Sequence, residues 1–547
     1  MSDYGLILLA GSAGVPAGVW SFRHFVLWGF ANRCIAAVIP TFAFVLFVDI
    51  ITAIGDAPSM VMSNIRLARS VALTFGYSLY YGPDTDQPII GTLHTPLSHM
   101  LYVPFSMFRH PTQALLGGAT LSFLLVFGPL MWVHFQTDQR NAIARLFSSY
   151  AFLACGLGLL SNESTSFVPF AIHTDAAAWG LATLAAGLLS RSPHASSASL
   201  AASAMCAVLS VWSKQTMVPL LLALPVFLFL ADGLTRSLRY VIYLLASGLA
   251  ISTLALALLW PPQAFWFNVV TLASHRPHKS GTGLVDAAFE RLAVDGLSPF
   301  IATLFFTILA IFHTKTTGAT LRGLFSTNRW LVFLVVGAFQ LPVAIQGWIT
   351  VGAETNHLGT VVYFLYLSAT TAICGYLTAS ELRDQNLATH VARILPILIV
   401  VIGLVPVVSL WNPISAWAHP RLAINGIIRQ SLNRHIVFGR IRLSDSSREA
   451  YEYARRHPGR AYFPTNPLSI LLAEHRLYHV DTALWDREIS GHPISEEQYR
   501  KHIPEGFRIV AYPPYWEPLS EKLISEVADC KRIIDPELPG WTVFEKP

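Results

Sequence analysis

Of 547 residues, 53% are hydrophobic and only 13% charged, whereas a soluble domain carries about a quarter charged residues. That is too little charge to clothe a soluble surface of this size. The net charge of +5 does not point to nucleic acid, because most basic residues within 1–411 sit in short gaps between apolar runs, where they act as topology signals.

Residues 6–20 match a signal sequence in length but lack a basic leader and contain Pro16. They read as a membrane-associated or half-inserted segment. A span needs about 20 mostly apolar residues. That rule places spans near 34–54, 113–135, 146–161, 174–190, 196–213, 216–232, 240–260, 298–313, 330–347, 358–377 and 394–411. Alternate gaps carry Arg145, Arg191, Arg236, Arg239, Lys315, Arg322 and Arg329, while the gaps at 162–173 and 348–357 have no Lys or Arg. The basic set therefore faces the cytoplasm, and the long loops 55–112 and 261–297 lie on the other side. Loop 55–112 holds an amphipathic run at 64–75 and an apolar run at 96–108, expected as helices along the membrane surface.

After Trp411 the pattern changes to short alternating elements: helices over 446–456, 467–474 and 520–528, and strands over 460–463, 508–512 and 542–545. The expected fold is an α-helical polytopic membrane protein of about eleven transmembrane helices. Residues 1–411 form the multi-span part, and 412–547 a small C-terminal α/β extracytoplasmic domain. Cys34, Cys155, Cys206, Cys374 and Cys530 stand singly, which argues against a disulfide framework or a zinc site.

Ionisable groups at membrane depth or at the mouth of a span are costly, so each is a functional candidate. Asp56 follows the first long span and is placed to act as a general base, or simply to meet water at a helix end; Asp49 within that span is an alternative. His173 and Asp175 open an outward-facing helix, where Asp175 also suits an N-cap. Lys214 lies at the outer end of a span against the charge bias, as a snorkelling side chain or a phosphate ligand. The cluster His275, Arg276, His278 and Lys279 suits a phosphate or anionic headgroups. Glu354, Asn356 and His357 crowd a short outer gap. The chain has no GxxxxGK[ST], GxSxG or HExxH motif.

The order of these features resembles the GT-C superfamily of membrane glycosyltransferases, which includes protein O-mannosyltransferases and the aminoarabinose transferases of lipid A. The matching positions are Asp56, Gly76-Tyr77-Ser78-Leu79-Tyr80, His94-Thr95-Pro96-Leu97, His173-Thr174-Asp175, Ser213-Lys214-Gln215-Thr216 and, in part, Gly352 to Asn356. Thr95 departs from the usual proline, and Ala57 stands where a second acidic residue is common. The resemblance implies sugar transfer from a polyprenyl-phosphate-linked donor to a lipid, glycan or protein acceptor on the extracytoplasmic side of a bacterial inner membrane. Under it, Asp56 activates the acceptor, Lys214, Arg276 and Lys279 bind the donor phosphate, and His94, His173, Asp175 and Asn356 line the site. Some relatives use a divalent metal, for which Asp84, Asp86 and His94 are the available ligands. The competing classes are a transporter or flippase of lipid-linked sugars, although no internal repeat is visible, and a non-catalytic scaffold.

Overall fold

The computed structural model describes residues 30–136, 142–191, 196–258, 261–316, 318, 320–353, 355–383 and 445–547. Residues 6–20, Glu354 and the span expected at 394–411 lie outside them.

The first described helix, α1 (Phe30–Gly55), leads through a 3₁₀ turn, Ala57–Ser59, to helix α2 (Val61–Ala72). Then follow α3 (Pro111–His134), α4 (Ala142–Ser161), α5 (Thr174–Ser190), α6 (Ser197–Ser213), α7 (Leu220–Asp232) and α8 (Leu234–Leu258). The bundle continues with α9 (Leu284–Thr316), α10 (Leu321–Thr327), α11 (Leu331–Ile349) and α12 (Asn356–Arg383).

Among the described residues, 8 helices are long and apolar enough to cross a membrane. The difference from the expected eleven has separate causes. One expected span, 394–411, is outside the described residues. The other two are α5 and α6, which have only 17 residues each.

Helix α5 sits in the middle of the bundle, buried along most of its length, so protein surrounds it where lipid would otherwise require a longer apolar stretch. Small residues allow this: a Cβ on Gly180 would stand 1.9 Å from the Leu125 carbonyl oxygen of α3, a backbone approach only glycine permits. Helix α9 is one continuous 33-residue helix that starts within the stretch expected as the loop 261–297 and runs through the span expected near 298–313.

The C-terminal region is α/β. Helices α13 (Ser446–Arg456), α14 (Pro467–Glu474), α15 (Asp481–Ile489), α16 (Glu496–Lys501) and α17 (Glu521–Val527) pack with four strands. These are β1 (Ala461–Tyr462), β2 (Ile509–Tyr512), β3 (Lys531–Ile533) and β4 (Thr542–Glu545), in sheet order β1-β2-β4-β3. Strand β1 runs parallel to β2, with Ala461 opposite Ile509, and β4 is antiparallel to both β2 and β3. Helices α15 and α16 and strand β3 add to the elements read from sequence.

This region does not hang free of the bundle. Ile65, Leu67, Val71 and Ile90 of the segment between α1 and α3 share one hydrophobic cluster with Tyr462, Leu468, Leu471, Val510 and Tyr512. Helix α2, expected along the membrane surface, has ten of its 12 residues buried because the C-terminal region covers it. The contact is keyed by Asn64. Its Nδ2 donates to Ser447 Oγ (2.9 Å) and Ser469 Oγ (3.1 Å), and its Oδ1 accepts from Leu468 N (3.0 Å).

Candidate functional site

A cavity of about 910 Å³ opens between one end of the helix bundle and the C-terminal region. The segment between α1 and α3, the ends of α5 to α7, the segment after α8, the α11–α12 connection and α15 all contribute to it. Its wall includes Arg66, Arg69, His94, His173, Lys214, Arg276, His278, Asn356 and His357, together with, among the described residues, one carboxylate, Asp486. The lining is therefore strongly cationic, as suits an anionic ligand.

Behind this wall lies a polar knot. Lys214 Nζ approaches Asp175 Oδ1 at 2.7 Å, Asn356 Nδ2 donates to Asp175 Oδ2 at 3.0 Å, and His173 Nδ1 stands 2.8 Å from the same oxygen. Lys214 is 2% exposed and Asp175 0%, so the charges compensate each other; a buried carboxylate without such partners would be prohibitive. Three helices deliver the group. Asp175 comes from the first turn of α5, Lys214 is the C-cap of α6, and Asn356 starts α12. His173, Asp175, Lys214 and Asn356, far apart in the sequence, thus meet at one point.

His94 lines the same cavity, and its Nδ1 is buried with no hydrogen-bond partner among the described residues. Burial, reinforced by the Lys214 charge, holds its imidazole well below the ordinary histidine range, so it is neutral at neutral pH. The loop that carries it is fixed by Tyr80 OH donating to His94 O (2.7 Å) and Thr95 Oγ1 donating to Val211 O (3.0 Å). Thr95, the departure from the usual proline, thereby ties the loop to α6.

Arg276 reaches the cavity from a segment introduced by a π-helical turn, Phe267–Leu272. Its Nη2 donates to Asp486 Oδ1 of α15, and its guanidinium carbon lies 5.9 Å from the Trp485 ring centroid. Lys279 is placed differently. Its ammonium donates to the carbonyls of Trp348 (2.7 Å) and Ala353 (3.1 Å) and sits 4.7 Å from the Trp348 ring centroid, tying the segment to the end of α11. It is not among the cavity-lining residues.

Asp56 is half-buried immediately after α1, where its carbonyl accepts from Ser59 Oγ at 2.7 Å. It does not line the large cavity. Beside it, Ser59 and Met60 border a smaller recess of about 420 Å³, whose wall also includes Ser63, Phe167, Tyr515 and Trp516. The two spaces share Met62, Arg66 and Trp516 as a common partition.

Asp84 and Asp86 are exposed on the outer loop, and Asp86 faces Lys501 at 3.4 Å. Among the described residues no group of three His, Cys, Asp or Glu side chains is arranged to hold a metal ion. The sequence alone does not single out Arg66, Arg69, Trp485 and Trp516; the amphipathic run of α2 is the available signal for the two arginines, and nothing in the spacing of the tryptophans sets them apart. Asp486, which with Asp481 and Glu488 reads in the sequence as surface charge, instead lies on the cavity wall against Arg276.

No protein-family model matches the sequence, and no curated protein matches it. Among solved structures, ArnT from Cupriavidus metallidurans bound to undecaprenyl phosphate is similar over 92% of this chain and 97% of its own, at 14% identity and a TM-score of 0.52. ArnT from the same organism in the apo state covers 88% of this chain and 92% of its own, at 15% identity and a TM-score of 0.49. The chain is thus a multi-pass membrane protein with the ArnT fold, the architecture that the GT-C resemblance implied.

Proposed function

We propose that this protein is a membrane glycosyltransferase of the GT-C type, moving a sugar from a polyprenyl-phosphate carrier to an acceptor at the extracytoplasmic face. The observation that carries this reading is the cationic cavity, with Arg66, Arg69, Lys214 and Arg276 on one wall beneath the C-terminal region. A solved protein of the same fold is described as bound to undecaprenyl phosphate, the type of anion such a wall suits.

In the proposed step the acceptor hydroxyl attacks the anomeric carbon of the donor sugar. The bond from that carbon to the phosphate oxygen breaks, and its electron pair leaves with the phosphate. The acceptor proton passes to the Asp56 carboxylate. The cations stabilise the charge that develops on the leaving phosphate. The donor phosphate occupies the large cavity, and the acceptor approaches through the recess beside Asp56, so that the reacting atoms meet at the partition formed by Met62, Arg66 and Trp516.

The test is transfer from a radiolabelled polyprenyl-phosphate sugar to an envelope extract by purified protein, compared with Asp56→Asn. Loss of at least a hundredfold in rate is expected for a missing general base. Undiminished transfer in the variant would remove Asp56 from the chemistry. Movement of the intact lipid-linked sugar across a vesicle bilayer without transfer would favour a flippase.

A further inference from the structure

Among the described residues, Asp486 is the only carboxylate on the wall of the large cavity. It comes from α15, more than two hundred residues after the arginine it meets. Arg276 and Asp486 are 16% and 13% exposed, so both remain open to the cavity. The arginine is gripped from several sides. Trp485 packs beside it, and a Cβ on Gly352 would stand 2.7 Å from Trp485 and 3.4 Å from Arg276 Nη2. The segment before it is docked on the end of α15, with Ser490 Oγ donating to Leu272 O at 2.9 Å and the His492 ring against Phe267. Arg276 Nε is buried and has no hydrogen-bond partner among the described residues. Its fork of donors is therefore only partly used by Asp486.

We infer that Asp486 is a built-in counter-ion that competes with the lipid phosphate for Arg276 and so sets how readily the spent carrier leaves. The inference rests on the reading that this cavity takes a polyprenyl phosphate. Its chemical basis is a change of charge during the reaction. The donor is a phosphodiester with a single negative charge; loss of the sugar leaves a phosphomonoester, whose second proton dissociates near neutral pH. A cavity lined by four cations holds the more highly charged product better than the substrate, a recipe for slow release. One fixed negative charge on the wall weakens both, and the product more.

Arg69 makes the exchange feasible. Its charge also acts on Asp486, whose carboxyl lies above the usual range because burial outweighs the opposing pull of Arg276 and Arg69. When Arg276 turns to a phosphate, the carboxylate keeps a cationic neighbour. A purely structural ion pair between the C-terminal region and the outer segment would have the opposite signature on removal, because breaking it would loosen the wall and weaken binding.

The sign of the effect decides the matter. With the full chain in lipid nanodiscs and undecaprenyl phosphate as the probe, Asp486→Asn should lower Kd by about tenfold and lower kcat through slower release. Asp486→Glu, which keeps the charge, should stay near wild type. In an Arg276→Gln background the Asn substitution should no longer tighten binding to the same extent. If Asp486→Asn does not fold, Asp486→Ser carries the same prediction. Binding that is unchanged or weaker in a folded, uncharged variant overturns the counter-ion role while leaving the donor reading intact. If the wild type itself binds no undecaprenyl phosphate, both fall.

Discussion

Asp175 has no exposed surface yet carries a charge, and it survives because Lys214, Asn356 and His173 all face its two oxygens. Removing one member leaves the others uncompensated. Asp175→Asn or Lys214→Met alone should cost about 3–5 kcal/mol of stability, measured by unfolding in detergent. The double variant should cost less than the sum of the two, since it removes both charges together. The same knot explains what a reader of the sequence can find. His173, Asp175, Lys214 and Asn356 stand out because each is a polar group at the mouth of an apolar stretch, where its cost demands a partner. Asp486 and Trp516 lie in a region already rich in charge and aromatics, so their chemistry appears only when the chain folds α15 and the 513–519 loop over the cavity.

Between elements, close packing and interface hydrogen bonds carry the structure. Gly180 of α5 lies against the Leu125 carbonyl, and a Cβ on Gly359 of α12 would stand 2.2 Å from the Ser164 carbonyl. Backbone cannot yield as a flexible side chain does, so Gly180→Ala and Gly359→Ala should each lower the unfolding temperature in detergent. A second interface depends on pH. His479 lies between α14 and α15 of the C-terminal region; its Nδ1 accepts from Ile89 N at 2.8 Å, and its Nε2 faces Gln498 O at 3.2 Å. Burial pushes this imidazole down to about 3, below the value of about 6.5 expected in an unfolded chain. Between those values the unfolded chain binds the proton and the folded one does not. Stability is therefore fully present above about pH 6.5 and falls as the solution is acidified toward pH 3, by up to about 1.4 kcal/mol per pH unit. His479→Asn, which keeps an acceptor for Ile89 N, should flatten the fall in unfolding temperature between pH 7 and 5. It should not abolish it, because burial also holds His94 and His99 well below the ordinary range. The short helices and strands of the C-terminal region were largely legible from alternation and turn residues. Their docking on α2 was not, because Asn64 at the start of an amphipathic run carries no mark of the three hydrogen bonds it makes across the interface.

At the scale of the molecule, bundle and C-terminal region are joined by a shared apolar cluster around α2, and Asn64 is its polar key. Asn64→Ala removes three hydrogen bonds and leaves Ser447, Ser469 and the Leu468 amide short of a partner. Faster amide exchange across α13 and α14 is the expected result, with the protection of α5 and α12 unchanged. Uniform loosening of the whole chain would argue against this local role. The apolar spans made the membrane architecture plain in the sequence, since the bilayer imposes their length. Helices α5 and α6 were counted as spans as well, although neighbouring helices, and not length alone, decide what their surfaces meet.

The shared wall of the cavity also bears on when the protein becomes competent. Its cations Arg66, Arg69, Lys214 and Arg276 precede Thr482, Trp485, Asp486, Trp516 and Leu519 by more than two hundred residues of chain. A nascent chain can place its helices in the bilayer and gather Asp175, Lys214 and Asn356 long before the roof exists. The cavity is enclosed only when these later residues fold over it, so a product truncated before Thr482 would hold the cations without Thr482, Trp485, Asp486, Trp516 and Leu519 above them. Synthesis past Leu519 is thus the step that encloses the cavity.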